Sequence, residues 1–180
     1  MKSRTFRRTF AFAERQISGV PKVALLLLAL TLPAAAQKPS IQLMPFTSAF
    51  IPAADACGFD VLFTPQAGRP NRERLIQFAN TAIVAGPLFV TLTNLKTGKT
   101  VNVNISGPIK IGVSTSGTTS TDVGTGPSIP GALPANVAAA AGLPLLPLFH
   151  GRAVFTIDAQ GNLISVSVTG TVEDVCQLLQ

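Results

Sequence analysis

Three stretches alternate strictly between apolar and polar side chains, and that period of two limits the chain to a small set of folds. Val101, Val103 and Ile105 alternate with Asn102, Asn104 and Ser106; Ile109, Ile111 and Val113 with Lys110, Gly112 and Ser114; Ile164, Val166 and Val168 with Ser165, Ser167 and Thr169. Successive side chains of a strand point to opposite faces, so each stretch reads as an antiparallel strand with one buried side. Further strands are expected at Phe59 to Thr64, Arg74 to Asn80, Ile83 to Thr93 with a break at Gly86-Pro87, Thr118 to Val123 and Arg152 to Ile157. Asn94 to Lys99 and Asp158 to Asn162 read as hairpin turns, with Gly98 and Gly161 supplying the left-handed residue. The expectation is an all-β antiparallel meander of about eight strands. To cover its apolar face it must become a closed or nearly closed β-barrel, or alternatively a β-sandwich.

The two cysteines bear on that choice. Cys57 stands just before the first of these strands and Cys176 just after the last. Two cysteines in an exported chain are expected to pair, which holds their α-carbons about 4.4 to 6.8 Å apart. First and last strands then lie side by side, as in a closed up-and-down barrel; a sandwich can also bring its ends together.

Export is expected from residues 1–36. Lys2, Arg4, Arg7, Arg8, Arg15 and Lys22 form a basic start, Val23 to Leu32 an apolar run, and Ala34-Ala35-Ala36 a small-residue cleavage site, so a signal peptide cut after Ala36 is predicted. The run is shorter than the roughly 20 residues of a bilayer span, so no stable membrane span is expected after processing. Arg7-Arg8-Thr9-Phe10 resembles a twin-arginine signal, while the leucine-rich run suits the general secretory route; both remain open. Removing this segment also removes most of the formal +6 charge, leaving eight basic and seven acidic residues. A chain near +1 has no basic stripe to displace counterions, which excludes nucleic acid as the expected partner. Residues 37–56 read as an irregular lead-in, and 57–180 as a single β domain.

Several motifs together resemble a group of small secreted actinobacterial proteins of unassigned function with a Cys-bracketed β domain. They are Ala56-Cys57-Gly58-Phe59, Thr93-Asn94 with Thr97-Gly98-Lys99, Ile105-Ser106-Gly107-Pro108, Gly124-Thr125-Gly126-Pro127, Gly151-Arg152-Ala153 and Asp174-Val175-Cys176. The resemblance covers Ala56 to Leu179 and rests on turn glycines, strand ends and the Cys pair. It implies a high-GC bacterial, secreted origin and carries over no catalytic residue; the segment Ser128 to Phe149 departs from it.

Little in the chain points to catalysis. His150 is the only histidine and no Gly-x-Ser-x-Gly elbow occurs, so a Ser/His/Asp arrangement has no visible basis. One His and two paired Cys fall short of a zinc ligand set, and neither a metal nor a cofactor is expected. Asp174 shares strand parity with Val166, Val168 and Val172, and an inward ion pair with Arg152 is expected for it. Residues 128–149 combine four prolines, the run Asn136 to Ala141 ended by Gly142, and then Leu143, Leu145, Leu146, Leu148 and Phe149. One or two helical turns are expected, with Asn136 as cap and Gly142 as stop. This apolar lid packs on the protein's own core, or presents Leu143 to Phe149 to a hydrophobic small molecule at the barrel mouth or to a cell-exterior protein. A secreted, non-catalytic binding protein is the reading favoured; an extracellular structural or interaction module is the alternative, and a cavity-shaped enzyme of cyclase or dirigent type a third.

Overall fold

A computed structural model describes residues 38–112 and 119–180. The expected signal peptide, its cleavage after Ala36 and the Val113-Ser114 end of one alternating run lie outside the described residues. Among the described residues the chain forms strands β1 (Ser40–Met44), β2 (Ala49–Ile51), β3 (Val61–Pro65), β4 (Glu73–Gln77), β5 (Thr81–Ala85), β6 (Phe89–Asn94), β7 (Thr100–Asn104), β8 (Ile109–Gly112), β9 (Thr119–Ser128), β10 (Pro147–Asp158) and β11 (Leu163–Asp174), with helices α1 (Ala135–Ala141) and α2 (Val175–Leu178). The alternating runs fall on β7, β8 and β11, with β7 ending at Asn104 ahead of Ile105 and Ser106, and Gly86-Pro87 separates β5 from β6. Both expected hairpins are present: Gly98 closes β6–β7 at φ +74° and Gly161 closes β10–β11 at φ +87°.

The chain is all-β and antiparallel, but the single meander is corrected. Its strands divide into two sheets, ordered β1-β4-β5-β8-β9-β10-β11 and β2-β3-β6-β7. Neighbours such as β3 and β6 are joined by long connections rather than hairpins. No closed barrel occurs among the described residues: β1 and β11 stand at opposite ends of the larger sheet's order. The lead-in is not irregular either, since β1 and β2 within it pair with β4 and β3.

Cys57 and Cys176 are bonded, with α-carbons 5.1 Å apart. Their bridge does not set two strands edge to edge. Cys57 lies in the turn ahead of β3, and Cys176 lies in α2 beyond β11, so the bond fastens the smaller sheet to the larger sheet's C-terminal helix. A buried polar contact does the same: Asn94 Nδ2 donates to the Leu179 carbonyl at 3.1 Å, while its Oδ1 accepts the turn N–H groups of Lys96 and Thr97. Around these ties Val61, Phe63, Val90, Leu92 and Val103 of the smaller sheet pack on Leu146, Leu148, Val175 and Leu179. A second core joins Leu133, Val137 and Ala138, in and before α1, to Phe149, Ala153, Phe155 and Val166.

β10 serves both cores because its side chains alternate, Leu148 entering the first and Phe149, Ala153 and Phe155 the second, and the strand is also bent. Gly126, Gly151 and Gly170 are register partners across β9, β10 and β11. Gly126 and Gly151, in motifs expected to be turns or strand ends, sit within strands instead. Phe149 and Phe155 are six positions apart, about 20 Å on a straight strand, yet their ring centroids are 6.0 Å apart. Side-chain lean closes part of that gap and curvature the rest. Only glycine fits the bend: a β-carbon on Gly151, at φ +147°, would meet the Thr169 carbonyl oxygen at 2.3 Å, and one on Gly170 would meet the His150 carbonyl oxygen at 2.2 Å.

Candidate functional site

One face of the larger sheet carries an apolar cleft of about 330 Å³. Val84 from β5, Ile109 and Ile111 from β8, Phe155 and Ile157 from β10 and Leu163 from β11 line it, together with Pro130 beyond β9. Alternation puts these side chains on one face, and register brings them together: Val84 opposes Ile109, and Phe155 opposes Asp122. α1 and its flanks cover this face over β10 and β11.

Asp122 of β9 is the one charged side chain in the lining. Its Oδ1 accepts the Gly112 N–H at 3.1 Å. The sole salt bridge among the described residues is elsewhere, so none of the described cations pairs with it. Desolvation in the apolar wall pushes its carboxyl above the ordinary aspartate value, and the Gly112 N–H partly offsets that rise. A carboxylate so placed can orient a ligand's polar end while the apolar wall holds its body.

The residues singled out from the sequence lie in other places. Leu146 and Leu148 are in the first core and Phe149 is fully buried in the second, while Leu143 and Leu145 are partly buried against the second. The supposed lid is therefore core and strand, Pro147 to Phe149 being the start of β10, where a missing N–H costs least. Gly142 ends α1 in the left-handed conformation at φ +65°, but Asn136 is inside the helix and Pro134 precedes it. Arg152 and Asp174 do not meet: Arg152 is exposed opposite Thr169, and Asp174 lies opposite Pro147 at the strand's far end. Asp174 instead caps α2, its Oδ1 accepting the Cys176 N–H at 2.8 Å.

His150 Nε2 lies 2.9 Å from Glu173 Oε1, but off the direction a ring N–H needs, so this is a close polar contact without an aligned hydrogen bond. The pair lines a wider depression of about 400 Å³ against Asn102 and Asn104 of β7. No nucleophile adjoins it in that lining. Among the described residues no three His, Cys, Asp or Glu side chains gather as a metal would require, and no helix is long and apolar enough to cross a membrane. Asp122 is the residue that sequence reasoning missed. Its strand was legible, but the apolar residue beside it across the sheet, Phe155, comes from a non-local register. Comparison with protein-family models, with curated proteins and with solved structures yields no match for this chain.

Proposed function

We propose that the protein is a secreted, non-catalytic binder of a small apolar molecule, held in the cleft between β5, β8, β10 and β11. The observation that carries this reading is the lining itself: seven apolar side chains and one carboxylate, in a volume at the lower end of small-molecule sites. The disulfide is compatible with an extracellular location. The ligand site is placed away from Leu143 to Phe149 because those side chains are taken up by the protein's own cores.

Edge strand β1 favours a second reading, a self-associating exterior module. Ile41 and Leu43 are 63% and 64% exposed on a strand whose outer side carries no partner among the described residues. Native and denaturing mass spectrometry on protein recovered from the producing organism's culture tests both. A small-molecule adduct lost on denaturation is expected. A ligand-free oligomer favours the second reading, and a ligand-free monomer that takes up no apolar probe overturns the first.

A further inference from the structure

We propose that the cleft's occupant is an amphiphile with a cationic amine head, its apolar body lying against Ile109, Phe155 and Leu163 and its head bound by Asp122. This rests on the cleft being a ligand site and adds the chemistry that site selects. The sole charge in the lining is negative, and the fold holds it in place from one side only: Oδ1 accepts the Gly112 N–H, whereas Oδ2 has no partner among the described residues. Phe155, the register partner of Asp122, and Ile111 share the lining with this half-buried carboxylate, so a ligand whose apolar body lies on them brings its donor within reach of Oδ2.

Three head groups then rank by elementary electrostatics. An ammonium offers an opposite charge and several donors, and charge-assisted hydrogen bonds are about twice as strong as neutral ones. An alcohol offers one neutral donor. A carboxylate meets a like charge and is rejected. An alkylamine, with an ordinary pKa near about 10, is charged at neutral pH.

The test is isothermal titration of the complete exported protein with octylamine, octanol and octanoate, which share one apolar body. Octylamine is expected to bind about tenfold more tightly than octanol, and octanoate more weakly than either. Asp122→Asn keeps an oxygen for the Gly112 N–H and removes the charge, so octanol binding is expected to persist while the amine's advantage falls to about threefold or less. Equal binding of octylamine and octanol to the unaltered protein overturns the head-group proposal and leaves the cleft standing. An amine preference that survives D122N overturns the role of Asp122. Failure of every probe to bind overturns the cleft reading and this one together. The ranking on the unaltered protein decides the matter even where D122N does not fold.

Discussion

Gly151→Ala is the sharpest probe of the bend that brings Phe149 and Phe155 of the second core together. At φ +147° an L-residue is strained by about 1 to 3 kcal/mol. The new β-carbon would also lie 2.3 Å from the Thr169 carbonyl oxygen and 3.0 Å from the Gly170 α-carbon. Both are backbone atoms, so no side chain can swing aside. β10 must separate locally from β11, losing one or two ladder hydrogen bonds at about 1 kcal/mol each. The total loss is about 2 to 5 kcal/mol, against a typical domain stability of about 5 to 15. Gly161→Ala is the control, because Gly161 also has positive φ, +87°, but an added β-carbon there meets nothing within 4 Å. Guanidinium unfolding should be followed by far-ultraviolet circular dichroism, since the chain has no Trp or Tyr to report by fluorescence. The expected result is a midpoint for G151A well below that of G161A at an unchanged slope. Equal stability of the two variants, within about 0.5 kcal/mol, would refute the close-packed bend.

Three further outcomes follow from the same contacts. Replacing Cys57 and Cys176 by serine opens a link between residues 119 apart, which loop-closure entropy values at about 5 kcal/mol; a loss under about 1 kcal/mol in guanidinium unfolding would count against that account. Asn94→Ala leaves the Leu179 carbonyl and two turn N–H groups without their partner and should cost about 2 to 3 kcal/mol in guanidinium unfolding; a loss under about 0.5 kcal/mol refutes the tie. Burial raises the folded pKa of Asp122 above its ordinary 3.8, so the native state holds that proton longer than the unfolded chain. Stability should therefore fall as pH rises from 3.8 through the folded pKa and stay level above it. In D122N that contribution vanishes, and a difference between the two proteins that is constant across this window in pH-dependent melts would contradict the burial argument.

Alternation along β7, β8 and β11 made the strands legible because it is a local signal: each polar residue marks the face away from the core. Gly98 and Gly161 were legible for the same reason, each sitting between two alternating runs where a tight turn needs positive φ. The glycines at 126, 151 and 170 carry the same residue type with a different meaning. Nothing within a few residues of Gly151 distinguishes a turn from a bend, because the reason for it is the approach of Thr169 and Gly170 on the neighbouring strand. The cysteine pair shows a similar limit: sequence position implied the bond, but whether it closes one sheet or ties two depends on β3 pairing with β6 and not with β11.

Asp122 is where that limit reaches function. Parity along β9 places it on the same face as Gly124, but parity cannot say which apolar residues lie across the sheet. Pairing with Phe155 on one side and proximity to Gly112 on the other turn an ordinary strand acid into a carboxylate held at an apolar wall. Both neighbours depend on the register of β9 between β8 and β10, and the glycine bend shapes β10 on the same face. A variant that straightens β10 should therefore weaken octylamine binding even when Asp122 is intact, because the carboxylate's selectivity depends on the wall that desolvates it.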